Sequence, residues 1–128
     1  MANKDIKVLI VEDETFLREL YEELLIDEGY QVVTAADGAE AAVKIDTGKF
    51  DLTLLDIMLP HKDGFTLMQE MLDQGKLINM GKVVMLTNLG QDALVKRGFE
   101  MGAVGYLIKS AYTPDQILTE IKKFLQEV

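Results

Sequence analysis

Five short runs rich in Val, Ile and Leu, separated by longer amphipathic segments, constrain this sequence more than any other feature. Most of the runs lack alternating polar residues, so we expect strands that are covered on both faces, as in a parallel sheet. The second run is weaker and contains Gln31 and Thr34, which predicts an edge strand. The runs cover residues 6–11, 31–35, 52–55, 82–86 and 105–108.

The first three segments between the runs have helical spacing and helix-terminal residues. Within residues 14–28, apolar side chains recur at helical spacing and form one stripe, which predicts a helix. Gly29 is suited to end that helix. Asp37 precedes a short helix over 39–47, and Asp63 is placed to cap a third helix that ends before Gly75. The side chains predicted to face the core are Phe16, Leu17, Leu20, Leu24 and Leu25 in the first helix and Phe65, Leu67, Met68, Met71 and Leu72 in the third.

Two further helices follow. Residues 91–101 predict a weaker helix that is interrupted by Gly98. The last helix has the clearest start, with Thr113 as N-cap and Pro114 at the first helical position. Its predicted buried face consists of Ile117, Leu118, Ile121, Phe124 and Leu125.

Strictly alternating strands and helices predict an α/β fold in which right-handed crossovers cover both faces of a five-stranded parallel sheet with five helices. With 128 residues and 48% apolar side chains, we expect residues 1–128 to form one domain. The sequence contains no internal repeat or linker, and nothing in it indicates a second core.

Charge and composition exclude several classes of function. Thirteen basic and 22 acidic residues give a net charge of −9, which opposes direct binding of nucleic acid. The chain has no cysteine, so disulfides, thiolate metal sites and cysteine nucleophiles are excluded. We find no signal peptide and no apolar stretch of membrane-spanning length, and therefore expect a cytoplasmic protein that does not bind membranes.

Polar residues follow four of the apolar runs. Glu12 and Asp13 come after the first, Asp56 after the third, Thr87 after the fourth and Lys109 after the fifth. Ligands of open parallel sheets bind beyond the carboxyl ends of the strands. We therefore expect three carboxylates, one hydroxyl and one ammonium to meet at one edge of the sheet.

This set of groups suits magnesium and phosphate. Two carboxylates about 4 Å apart repel by roughly 4 kcal/mol at an effective dielectric constant near 20, so a cation is expected among them. Oxygen ligands without histidine or cysteine favour Mg²⁺. Asp56 is the candidate nucleophile for phosphoryl transfer, with Lys109 neutralising charge and Thr87 donating to the transferred phosphoryl group.

These residues resemble the receiver domain of two-component response regulators, including the single-domain chemotaxis type. The resemblance extends from about residue 6 to residue 128. Pro60 and Gly64, four and eight residues after Asp56, also match the family's loop. The resemblance implies a flavodoxin-like fold with strand order 2-1-3-4-5.

The resemblance also implies roles for the site residues. Asp56 would accept a phosphoryl group from a phosphohistidine on a sensor histidine kinase or a histidine phosphotransfer protein. Asp13 and Asp56 would ligate Mg²⁺ together with the Met58 carbonyl, and Glu12 would act through water. Thr87 and Lys109, the residues named above as phosphate partners, would hold the phosphoryl oxygens.

The resemblance implies that the output of this protein is a change of affinity for a partner, and not the turnover of an external substrate. Tyr106 matches the switch aromatic, which turns inward when Thr87 moves toward the phosphoryl group. The face formed by the fourth helix, fifth strand and fifth helix would bind a downstream protein, and the same face is a candidate for homodimer formation.

The sequence departs from the family pattern at a few positions. Ser110 replaces a proline that often follows a cis bond, and Asn88 replaces a small residue. Met58 and Leu89 are apolar at positions that tune the lifetime of the phosphoryl group, so we expect a comparatively long-lived phosphorylated state. A half-life of seconds would contradict this.

The main alternative function is a receiver-like interaction module that is never phosphorylated.

Three other classes with this fold fit less well. A flavin-binding module needs a hydroxyl-rich or glycine-rich loop after the first strand, where this chain has acidic residues. A haloacid-dehalogenase-like phosphatase needs a nucleophilic aspartate where this chain has Val11. A toprim-type enzyme needs a second aspartate at Met58, and the net charge opposes DNA.

Overall fold

The computed structural model describes residues 5–88 and 92–126. Five strands form one parallel sheet in the order β2-β1-β3-β4-β5, which confirms the predicted fold. The strands are β1 (Lys7–Val11), β2 (Gln31–Ala35), β3 (Leu52–Asp56), β4 (Lys82–Thr87) and β5 (Gly105–Ile108). The helices are α1 (Thr15–Asp27), α2 (Gly38–Thr47), α3 (Gly64–Asp73), α4 (Asp92–Glu100) and α5 (Pro114–Gln126).

Apolar side chains from both faces of the sheet form two cores. One core lies between the sheet and α2 and α3, and the other between the sheet and α1 and α5. Alternate residues of one strand serve the two sides, as Leu9 and Ile10 of β1 show. The central strands are therefore mostly apolar, because neither face meets water.

Local capping fixes where the helices begin. The side chains of Asp37 and Asp63 each accept a hydrogen bond, at 2.8 Å, from the backbone N–H three residues later. The Thr113 hydroxyl accepts in the same way at 3.2 Å, and Gln116 bonds back to the Thr113 N–H at 2.8 Å. The predicted N-caps Asp63 and Thr113 are confirmed, and Asp37 caps α2 in the same way. Gly29 has the positive φ of 96° expected after a helix.

Two predicted core residues are wrong. Phe16 is 72% exposed, because the buried side of α1 runs through Tyr21 and Leu25. At about 100° per residue, Phe16 lies about 180° around the helix from Leu25. Leu72 is 50% exposed in the last turn of α3, where the following residues are exposed as well.

The loop after β5, where Ser110 replaces the expected proline, is short and regular. Residues Lys109–Ala111 form a single 3₁₀ turn. No peptide bond in the described ranges is cis, so the bond before Ser110 is trans. Among the same residues, no helix is long and apolar enough to cross a membrane.

Three consecutive residues connect α4 to its neighbours. The Arg97 guanidinium stacks on the Phe65 ring of α3, 4.5 Å from its centroid. Gly98 packs so closely on Met85 of β4 that an added Cβ would lie 1.9 Å from the Met85 sulfur. Phe99 meets an aromatic ring of β5. Gly98 is also the one buried residue of α4, so this helix is weakly anchored compared with α3.

Candidate functional site

The carboxyl ends of β1 and β3 bring the predicted acidic residues together. Glu12 and Asp13 follow β1, and Asp56 is the last residue of β3. One carboxylate oxygen from each lies within 4.8 Å of the others. Glu12 and Asp56 are buried, whereas Asp13 is exposed. The cluster is therefore closed on the protein side and open to solvent at Asp13.

Lys109 reaches into this cluster from the end of β5. Its Nζ lies 2.8 Å from Asp56 Oδ2 and 2.5 Å from Glu12 Oε1. The other oxygen of Asp56 accepts a hydrogen bond from the Met58 N–H at 3.1 Å. Both oxygens of Asp56 are thus positioned by the protein, and the predicted proximity of Asp56 and Lys109 is confirmed.

The acidic pair is also held through its main chain. The Glu12 N–H donates to the Ala35 carbonyl at 3.0 Å, and Glu12 Oε2 accepts from the Glu14 N–H at 3.0 Å. Arg18 Nη1 donates to the Glu12 carbonyl at 2.9 Å and to the Asp13 carbonyl at 3.4 Å. The start of α1 is therefore tied to the loop that presents the carboxylates.

Burial dominates the electrostatics of the cluster. It raises the pKa of Glu12 to about 7, although Lys109 and the Glu14 N–H lower it. It also raises the pKa of Asp56 above its ordinary value, against the opposing effect of Lys109. Burial lowers the pKa of Lys109, but hydrogen bonds to Asp56 and Glu12 outweigh this and raise it. One ammonium therefore does not fully compensate the carboxylates.

The residues fit a magnesium ion. Glu12 Oε1 is buried and, although it faces Lys109, makes no hydrogen bond of regular geometry in the described part of the chain. Mg²⁺ prefers oxygen ligands, keeps several waters and is usually bound by one or two carboxylates. Exposed Asp13 beside buried Asp56 offers such a set. The role of the Met58 carbonyl stays a prediction.

Thr87 and Tyr106 lie on β4 and β5, the strands beside β3 on the Lys109 side of the sheet. Thr87 ends β4, one residue beyond Leu86, which pairs with Asp56. Thr87 and Tyr106 line one small apolar cavity with room for little more than a water molecule. Tyr106 is 41% exposed, and its ring meets the Phe99 ring edge-on, with centroids 6.1 Å apart and planes at 83°. The remaining lining residues are Ile57, Met85, Leu94 and Val95.

The positions that depart from the family pattern surround the site. Met58 is 60% exposed, and Asn88 and Ser110 are exposed as well. Leu89 lies outside the described residues. Arg18 and Phe99 were not predicted to contribute to the site. The one signal in the sequence concerned Arg18, which is a cation in the first turn of an otherwise acidic helix.

Comparison with known proteins agrees with this geometry. A family model described as the response regulator receiver domain matches residues 8–122. The chain is 38% identical over 120 residues to the alkaline phosphatase synthesis transcriptional regulatory protein PhoP of Bacillus subtilis, covering 94% of this chain and 48% of that protein. A probable transcriptional regulator ycf27 of Cyanophora paradoxa is 36% identical over 120 residues, with 94% and 48% covered. The chain thus spans about half the length of the curated relatives it matches.

Solved structures show the same likeness. The chemotaxis response regulator CheY4 of Vibrio cholerae superposes with a TM-score of 0.82 at 31% identity, covering 92% of this chain and 97% of that one. A CheY of Borrelia burgdorferi, solved in a CheX-CheY-BeF₃-Mg²⁺ complex, has a TM-score of 0.82 at 29% identity, with 95% and 90% covered. The chain therefore belongs to the response regulator receiver domain family of two-component signalling proteins.

Proposed function

We propose that this receiver domain accepts a phosphoryl group on Asp56 with the help of Mg²⁺ and thereby changes its affinity for a partner protein. The observation that carries the proposal is the position of the Asp56 carboxylate. It is buried at a strand end, 2.8 Å from the Lys109 ammonium and within 4.8 Å of Glu12 and Asp13 oxygens. A buried carboxylate with both a cation and a cation-binding cluster beside it suits phosphoryl transfer.

Asp56 would act as the nucleophile. One of its carboxylate oxygens forms a bond to phosphorus while the bond from phosphorus to the imidazole nitrogen of a phosphohistidine breaks, and the freed imidazole takes a proton. The donor would be a sensor histidine kinase or a histidine phosphotransfer protein. The Met58 N–H and Lys109 hold the carboxylate in place, so little reorganisation is needed before attack.

Lys109 and Thr87 would stabilise the transferred group. Bound at Asp13 and Asp56, Mg²⁺ would neutralise the charge of the phosphoryl oxygens. The Lys109 ammonium already contacts the acceptor and would remain beside a phosphoryl oxygen. The Thr87 hydroxyl, at the end of the neighbouring strand, would donate to another.

Tyr106 and α4 would transmit the change. Thr87 and Tyr106 share a cavity wall with Leu94 and Val95 of α4, so a movement of Thr87 toward Asp56 changes the space available to the tyrosine ring. The partner surface would be the face of α4, β5 and α5, where Phe99, Val104 and Tyr106 are exposed. A downstream protein or a second copy of the chain would bind there.

Intact-protein mass spectrometry tests the phosphoacceptor role. With acetyl phosphate and Mg²⁺, the wild type should gain about 80 Da as an aspartyl phosphate forms, and Asp56→Asn should gain nothing. Asp63→Asn is the control, because asparagine caps helices as well as aspartate does. Excess EDTA should suppress the gain. An unmodified wild type would instead favour the phosphorylation-independent module.

A further inference from the structure

We propose that Arg18 is a positioning residue for the site, which holds the main chain of Glu12 and Asp13 so that their carboxylates stay beside Asp56. The inference rests on the magnesium role proposed above. Among the described residues, Arg18 makes no hydrogen bond or ion pair to Asp56 or to the carboxylates of Glu12 and Asp13. Its effect would be exerted entirely through the loop between β1 and α1.

The contacts of the guanidinium are specific to the acidic pair. One nitrogen, Nη1, donates to the carbonyl oxygens of both Glu12 and Asp13, at 2.9 and 3.4 Å. The Arg18 backbone N–H meanwhile donates to the Glu14 carbonyl at 2.9 Å as part of α1. Arg18 therefore connects the first turn of the helix to the two residues directly before it.

Asp13 depends on this contact more than Glu12 does. Glu12 is buried and is also held by the Ala35 carbonyl, the Glu14 N–H and Lys109. Asp13 is exposed, and within residues 5–88 and 92–126 no other side chain is hydrogen-bonded to it. Loss of the guanidinium would thus free the more exposed metal ligand first.

The position of Arg18 is electrostatically unusual for a helix. Positive charges are unfavourable near a helix N-terminus, where the macrodipole is positive. Long helical side chains point toward the N-terminus, so Arg18 is directed at the loop it contacts. The two charge-assisted hydrogen bonds to carbonyls offset that unfavourable placement.

The sign of the effect on Mg²⁺ affinity separates positioning from simple charge. If Arg18 acted only as a nearby positive charge, its removal would strengthen Mg²⁺ binding, because a repulsive cation is lost. If Arg18 positions the acidic pair, its removal weakens binding. Partners that orient metal ligands from outside the coordination sphere are worth roughly 10- to 100-fold in affinity.

The experiment is an NMR-monitored Mg²⁺ titration of the full chain as wild type, Arg18→Ala, Arg18→Lys and Arg97→Ala. We expect Arg18→Ala to weaken Mg²⁺ binding by about 10-fold, the lower end of that range, and Arg18→Lys to recover part of the loss. Arg97→Ala removes the same charge from α4 and should leave the affinity unchanged or slightly higher. Thermal unfolding without metal, recorded for each variant, checks that the fold persists.

Amide hydrogen exchange of the metal-free protein gives a second readout. Arg18→Ala should selectively speed exchange at Glu12 and Glu14, whose N–H groups donate hydrogen bonds, whereas a general loss of stability would speed exchange throughout α1. Equal or tighter Mg²⁺ binding by Arg18→Ala would overturn the proposal. If the wild type itself fails to bind Mg²⁺, the magnesium role above is wrong, and the exchange comparison alone then decides whether Arg18 holds the loop.

Discussion

At the scale of single residues, one ammonium faces two buried carboxylates. Lys109 lies between Glu12 and Asp56, and burial raises the pKa of both acids despite its presence. Without a bound metal, Glu12 and Asp56 therefore hold their protons to higher pH than exposed carboxyl groups do. This arrangement makes the stability of the domain depend on pH in a direction opposite to that of an ordinary salt-bridged acid.

The pKa of Glu12 gives a direct prediction. The folded value is about 7 and the ordinary value 4.5, so between these the folded state holds a proton that the unfolded chain has released. The contribution of Glu12 to the free energy of unfolding then falls as pH rises from about 4.5 to 7, by up to about 3 kcal/mol. Urea unfolding in EDTA across this window should show a clearly smaller fall in Glu12→Gln than in the wild type, because the raised pKa of Asp56 is present in both proteins.

Glu14→Gln is the matched control, since it removes an exposed carboxyl two residues away. It should retain the wild-type pH dependence. Parallel curves for the wild type and Glu12→Gln would show that Glu12 does not titrate in this range.

The residues that meet at the site could be predicted because parallel strands end at one edge of the sheet. Glu12, Asp13, Asp56 and Lys109 each follow an apolar run, and the topology alone brings them together. The role of Arg18 could not be predicted in the same way. Its contacts are to carbonyl groups, whose direction depends on the conformation of a loop and not on residue type.

At the scale of secondary-structure elements, α4 buries fewer residues than any of the other four helices. Its one buried residue is Gly98, Leu94 packs on the core only partly buried, and Arg97 and Phe99 each contact one ring. Elements with few buried contacts open at the lowest free-energy cost. The helix that the proposed switch must shift is thus held by contacts that are individually weak.

Close packing of α4 on β4 is tested by Gly98→Ala. Alanine favours the helix by about 1 kcal/mol, but its Cβ would lie 1.9 Å from the Met85 sulfur. We expect the overpacking to win and the free energy of unfolding to fall by about 1–2 kcal/mol. In a Met85→Ala background the same change should instead be neutral or stabilising. Equal effects in both backgrounds, measured by urea unfolding, would contradict the close approach.

The contact between Phe99 and Tyr106 is tested by Phe99→Ala. An edge-to-face aromatic pair favours the observed outward ring, so its loss should raise the ratio of inward to outward Tyr106 by about 2- to 10-fold. NOEs between the Tyr106 ring and the Met85 methyl group report the inward position. Val104→Ala trims the same exposed face without removing a ring and should leave the NOEs unchanged. Unaltered NOEs in Phe99→Ala would show that Phe99 does not hold the tyrosine.

Helical spacing predicts where helices lie better than which of their faces is buried. In α1 the apolar residues form two overlapping stripes, and the packing selects the one through Tyr21 and Leu25 rather than Phe16. The predicted stripe leaves out Tyr21, whose hydroxyl suits partial exposure. Capping residues were more informative, since Asp37, Asp63 and Thr113 act through local hydrogen bonds.

At the scale of the whole molecule, a net charge of −9 raises the local concentration of cations around the acidic cluster. Two buried cores hold the sheet from both sides, so the site edge is presented by a rigid scaffold. Binding of a cation at that edge should stabilise the entire domain, because the unfolded chain has no such cluster.

Magnesium should therefore raise the free energy of unfolding. At a free concentration 100-fold above Kd the increase is about 2.7 kcal/mol for one site. Asp13→Asn should lose most of this increase, whereas Asp37→Asn, which changes an N-cap away from the cluster, should keep it. An increase of equal size in Asp13→Asn would place the stabilising metal elsewhere.

The position of the phosphoryl group is the most direct test of the account. Borohydride reduces an acyl phosphate to an alcohol, so treatment of the phosphorylated protein should convert the acceptor aspartate to homoserine. Tandem mass spectrometry of the peptide that contains residues 52–56 should then find homoserine at position 56. Homoserine at Asp13 or at any other aspartate, or none at all in a protein that has gained the phosphoryl mass, would contradict the assignment of Asp56 as acceptor.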